Sequence, residues 1–165
     1  MIAVVALLLA LGSPCVAPPV PGPIVVPFRQ PACEYCPGHR GVEYRPPVGT
    51  PVHAVAPGVV TFAGKVVGTL YVVVRQPDGL LATYGFLQAT TVRAGQSVAA
   101  GTVVGFSTSR LYFGWRRNGV PVDPTPALTG QRGRPRLVPS NGATPRPPPA
   151  PAACPAGGAT TDRAR

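Results

Sequence analysis

Pro37-Gly38-His39-Arg40-Gly41-Val42-Glu43, followed by Gly49-Thr50-Pro51-Val52-His53-Ala54-Val55-Ala56-Pro57-Gly58-Val59-Val60, is the stretch on which the fold turns. Its apolar residues are mostly valine, come in runs of one to three, and are cut by glycine and proline. That pattern reads as short strands joined by tight turns. The same stretch holds both histidines of the chain. His39 and Glu43, four residues apart beside a glycine turn, have the side chains of two zinc ligands. A hydrolytic zinc site needs a third protein ligand and usually a separate base or electrophile. No histidine follows His53 to supply either.

Moving outward, Gly58 to Ala63 and Thr69 to Gln76 read as strands. Pro77-Asp78-Gly79 is a turn, and Leu80 to Leu87 returns as the partner of a hairpin. Ala94-Gly95 begins another turn, and Thr102 to Phe106 is a short strand. Arg110 to Arg117 is the last long strand, closed by Asn118-Gly119, the preferred pair of a type I′ turn. Strand periodicity puts Arg110, Tyr112 and Gly114 on one face and Leu111, Phe113 and Trp115 on the other. Pro51-Val52-His53-Ala54 with Pro57-Gly58-Val59-Val60 is echoed by Ser97-Val98-Ala99-Ala100-Gly101-Thr102-Val103-Val104, a faint sign of duplication. The chain reads as one all-β domain.

Composition agrees. The 165 residues have room for one domain plus ends, and 24 prolines with 20 glycines exclude a helical bundle. Four segments are expected: an apolar, signal-peptide-like stretch over 1–15, a Pro-rich extended linker over 16–26, the folded domain over 27–130 and a tail over 131–165. The apolar run Met1 to Leu11 is shorter than the ~20 residues of a membrane span and resembles the core of a secretory signal. It lacks the usual basic leader, which leaves the true start open, a truncated one included. The tail is rich in Arg, Pro, Ala and Gly, with few large apolar side chains to offset chain entropy, and is expected to be disordered.

The formal charge is +10, and 14 of the 15 basic residues are arginine. Half of that excess, +5, lies in the tail, where six arginines face Asp162. Such charge suits anionic wall polymers or a membrane surface. No groove-reading helix or stacking-aromatic motif is present, so nucleic acid is not the expected partner. Cys33-Glu34-Tyr35-Cys36 is a lone CxxC, read as a small loop disulfide, with zinc ligation or free thiols as the alternatives. Cys15 and Cys154 are candidates for a second pair.

From Phe28 to Asp123 the order and spacing of these motifs resemble the lysostaphin/LytM-type zinc endopeptidases of bacterial cell walls. Their pattern runs His-x-Gly-x-Asp, Gly-Thr-Pro-Val-x-Ala, Gly-x-Val, Tyr-x-His-Leu, Val-x-x-Gly-x-x-Val, then a His-x-His-Phe strand and Asp-Pro. Here stand His39-Arg40-Gly41-Val42-Glu43, Gly49-Thr50-Pro51-Val52-His53-Ala54, Gly58-Val59-Val60 and Tyr84-Gly85-Phe86-Leu87. Val92-Arg93-Ala94-Gly95-Gln96-Ser97-Val98, Arg110-Leu111-Tyr112-Phe113 and Asp123-Pro124 complete the series. The resemblance implies an antiparallel β core of the LytM type, a duplicated, barrel-sandwich-like arrangement.

It also implies zinc held at the positions of His39, Glu43 and Tyr112, and catalytic histidines at those of Phe86 and Arg110. Only His39 is kept. Glu43 can replace an aspartate, with one more methylene. Tyr112, with an ordinary pKa near ~10, is a poor ligand, and Phe86 has no proton to move. Arg110 is no base, though its charge suits an oxyanion. Zinc is therefore the implied cofactor, with its third ligand in question.

The leading expectation is a secreted or envelope-associated, catalytically degenerate member that binds peptidoglycan or modulates a wall hydrolase. Tyr84, Arg110 and Tyr112 would line its peptide cleft. The alternative is an active zinc endopeptidase of wall peptides using Tyr112 or a repositioned His53 as third ligand. A structural metal site built from Cys33, Cys36, His39 and Glu43 is a further alternative.

Overall fold

The computed structural model describes residues 16–33 and 35–129. Strands β1 (Val42–Tyr44), β2 (Pro51–His53), β3 (Gly58–Val66), β4 (Thr69–Arg75) and β5 (Leu81–Thr90) are followed by β6 (Ser97–Val98), β7 (Val103–Arg117) and β8 (Val120–Val122). One short helix, α1 (Thr125–Thr129), closes the described chain. All pairings between these strands are antiparallel, in the order β1-β7-β5-β4-β3-β6, with β2 and β8 also joined to β7. This is the expected all-β class.

The turn residues act as their chemistry requires. Asn118 and Gly119 both take positive φ (50° and 82°), as a type I′ hairpin demands. At the β4–β5 turn, the Leu80 N–H donates to Asp78 Oδ1 at 3.1 Å, and Gly79 adopts φ 84°. The two segments Thr102–Phe106 and Arg110–Arg117 are not separate strands. They are one, β7, running through the polar Ser107-Thr108-Ser109 because β5 pairs along both halves. Its other edge is taken in turn by β2, β1 and β8.

The internal echo has a structural counterpart. β2 pairs with the start of β7, and β6 pairs with the start of β3. Each short strand of one half thus docks on the long strand of the other. The loops reciprocate, with the Ala54 N–H donating to Thr102 O and the Gly101 N–H to Ala54 O, both at 2.8 Å.

Segment 16–26 is not a linker. Val20 is 1% exposed and belongs to the core. The His53 N–H donates to Pro19 O at 2.8 Å, Val25 N–H to Glu43 O at 2.8 Å, and Val16 N–H to Ala127 O at 3.0 Å. Proline deprives this stretch of donors but not of carbonyls or apolar surface, so it binds along the sheet. The core it joins includes Val42, Tyr44, Val72, Tyr84, Leu111, Phe113 and Trp115. Within it the Tyr84 and Phe113 rings meet at a tilt, 5.3 Å between centres, and Phe113 meets Trp115 edge-on at 5.7 Å. Residues 1–15 and 131–165, and with them the Cys15–Cys154 pairing, lie outside the described residues.

Candidate functional site

Glu43 lies directly opposite Tyr112 across the β1–β7 pair, so Arg110 is its diagonal neighbour on the same face. The extra methylene of glutamate spans that diagonal. Arg110 donates Nε–H to Glu43 Oε2 at 2.8 Å and Nη2–H to Oε1 at 2.5 Å, a two-pronged ion pair. His39 approaches the same carboxylate, with Nε2 3.1 Å from Oε1. Its Nδ1 donates to Pro27 O at 3.2 Å, and a backbone bridge to Arg29 fixes the turn, with both N–H···O distances 2.9 Å.

Arg110 also lies over the Phe86 ring, 4.2 Å from its centre. Phe86 reaches it from a bulge. Its φ is +61°, and the β5–β7 register shifts between Gly85 and Leu87. Tyr112 takes a different course. Its hydroxyl donates to Arg40 O at 3.0 Å. A Cβ on Gly41 would fall 2.7 Å from its ring, and one on Gly114 would fall 2.6 Å from its hydroxyl. Two glycines thus make the bed in which this ring lies.

The charges follow the geometry. Arg110 holds the Glu43 carboxyl below its usual range, against the opposing effect of burial and with a smaller contribution from His39. The Arg110 guanidinium is held charged more firmly in return. Burial pushes the Tyr112 phenol up, away from the phenolate that a metal ligand requires.

This donor set does not fit zinc. Both oxygens of Glu43 are taken by a guanidinium whose charge would have to be displaced. The Tyr112 hydroxyl is spent on a carbonyl. Among the described residues no group of three or more His, Cys, Asp or Glu side chains could hold a metal ion. His53 does not line the site. It sits at the end of β2 with Nδ1 2.9 Å from Gly101 O. Cys33 and Cys36 form a disulfide, which removes them from the four-ligand alternative.

His39, Glu43, Phe86, Arg110 and Tyr112 line one groove of about 570 Å³. Tyr84 does not. It is 0% exposed, and its hydroxyl oxygen accepts the Val55 N–H at 2.9 Å inside the core. Simple alternation places Tyr84 and Phe86 on one face, but the bulge turns only Phe86 toward the groove. The groove also contains Phe62, Tyr71 and Arg116, which the sequence reading passed over. Arg116 was within reach, since it continues the even-numbered face of Arg110, Tyr112 and Gly114.

An all-antiparallel sheet carrying a His-x-Gly-x-Glu turn beside an Arg-x-Tyr-Phe strand defines a peptidase-like core. The model of peptidase family M23 matches residues 37–124, just over half of the chain, and the chain belongs to that family. It is 40% identical over 105 residues to the DD-carboxypeptidase/endopeptidase Mpg of Neisseria meningitidis, covering 55% of this chain and 24% of that protein. A crystal structure of Helicobacter pylori Csd3 superposes with TM-score 0.60 at 26% identity, covering 68% of this chain and 34% of that one. The catalytic domain of the antimicrobial peptidase lysostaphin from Staphylococcus simulans shares the fold, with TM-score 0.54 at 24% identity over 62% of this chain and 88% of that domain. The chain spans about a quarter of the length of the curated relatives it matches first. No helix among the described residues is long and apolar enough to cross a membrane.

Proposed function

We propose that this domain is a catalytically degenerate M23 member of the cell envelope that binds peptidoglycan peptides in the His39–Arg110 groove, either on its own account or to modulate a wall hydrolase. The observation that carries the reading is the Arg110 guanidinium bound to both oxygens of Glu43. The carboxylate that the resemblance makes a metal ligand is thus bound by a cation instead, and no side chain of the groove replaces the missing histidines. Phe86 and Arg110 offer no general base. The groove itself persists, walled by aromatic side chains suited to a peptide. Membership of family M23, together with the likeness to the DD-carboxypeptidase/endopeptidase Mpg, supports a wall-peptide ligand. The arginine-rich sequence after Gly130 would add salt-sensitive attraction to anionic wall polymers.

Metal analysis of the purified protein beside a wall-digestion assay tests this. Far less than one zinc per chain is expected, with no digestion, and with saturable binding to purified sacculi that survives His39→Ala. Zinc near one per chain, with digestion abolished by Glu43→Ala, would instead establish the active endopeptidase.

A further inference from the structure

Glu43 is the groove's carboxylate, and Arg110 is committed to it. Among the described residues, that leaves Arg116 as the groove's arginine without a side-chain partner. Its side chain is exposed and makes no hydrogen bond or ion pair among the described residues. The adjacent Arg117, on the opposite face of β7, is by contrast paired with Asp78 at 2.9 Å.

Arg116 also stands at a junction. It lines the groove and also a second recess of about 640 Å³, which holds Tyr35, Arg40 and Asn118. A chain lying along Phe62, Tyr71 and Phe86 would meet this guanidinium at the groove's end. The apolar wall offers contact to small side chains, and the planar fork of arginine matches the two oxygens of a carboxylate.

We propose that Arg116 is the anion anchor of the groove, and that the ligand is a short peptide with a free carboxylate lying against it. The inference rests on the reading of the groove as a peptide site and adds the end group the peptide must carry. Arg110 cannot play this part without releasing Glu43, which is buried.

The test is calorimetric titration of the full chain with Nα,Nε-diacetyl-Lys-D-Ala-D-Ala, its C-terminal amide and glycerol phosphate, together with sedimentation on purified sacculi. The free acid is expected to bind at least 10-fold more tightly than the amide. Arg116→Gln should remove that difference, Arg116→Lys should keep part of it, and Arg117→Gln should leave it unchanged. Equal affinity for acid and amide overturns the anchor, as does an equal loss in Arg117→Gln, which would mark unspecific attraction. Tighter Arg116-dependent binding of glycerol phosphate than of the acid overturns the carboxylate assignment. If Arg116→Gln stays on sacculi like the wild type while acid and amide bind alike, only the anchor fails. If neither sacculi nor peptide is bound, the peptide-site reading fails with it.

Discussion

Tyr84 does structural work that its place in the family motif conceals. Its phenol is fully buried against the Phe113 ring, and its hydroxyl oxygen satisfies the Val55 N–H. Burial pushes its pKa well above the ordinary tyrosine value, overriding the lowering effect of that hydrogen bond. A raised folded-state pKa means that the neutral form is favoured by folding. Its contribution to stability is therefore complete below pH ~10, and is lost as the pH rises beyond that and the unfolded chain ionises. Tyr44 is buried and shifted in the same direction. Chemical denaturation at pH 8 and pH 11 should show a steep alkaline loss in the wild type. Tyr84→Phe should be about 1–2 kcal/mol less stable at pH 8, from the orphaned Val55 N–H, and should lose less on going to pH 11. An alkaline slope unchanged by Tyr84→Phe would place the titrating group elsewhere.

At the scale of the element, the β5 bulge decides what the groove contains. A phenylalanine at φ +61° is strained, costing about 1–3 kcal/mol, because its Cβ crowds the backbone in the left-handed region. The contacts with Arg110 and Tyr71 offset part of that cost. Phe86→Ala and Phe86→Gly remove the same ring, but only glycine also relieves the backbone. Denaturant unfolding should find Phe86→Gly more stable than Phe86→Ala by about 1 kcal/mol, the reverse of the usual strand order. Alanine more stable than glycine would mean that the bulge stores no such strain. This bulge is also the main thing the sequence hides. Leu80 to Leu87 alternates well enough to read as a straight strand, and nothing but Gly85 interrupts it. Where alternation runs undisturbed, as in Leu111, Phe113 and Trp115, the buried face was legible from the residues alone. Asn118-Gly119 was legible for the same reason, because local chemistry sets it. Segment 16–26 was not, since its docking depends on a sheet edge assembled from residues far along the chain.

For the molecule as a whole, the retained fold and the altered site can be separated by experiment. The backbone that places His39, residue 43 and residue 112 side by side is intact, with Glu43 and Tyr112 in register across β1 and β7. What stands against metal is carried by side chains: the Arg110 cation, the long Glu43 and the phenol of Tyr112. The combined variant Glu43→Asp, Phe86→His, Arg110→His and Tyr112→His restores the family pattern in full. The bed formed by Gly41 and Gly114 leaves ring-sized space at position 112. Removing Arg110 frees the carboxylate, and three nitrogen and oxygen donors suffice for an open zinc site. This variant should take up close to one zinc per chain and gain measurable digestion of sacculi. Glu43→Asp and Tyr112→His together, with Arg110 kept, should take up far less, because the guanidinium still competes for the carboxylate. If the double variant binds zinc as fully as the quadruple one, Arg110 is not what excludes the metal. If a folded quadruple variant takes up none, the obstacle to metal lies in the backbone, deeper than the side chains of the groove.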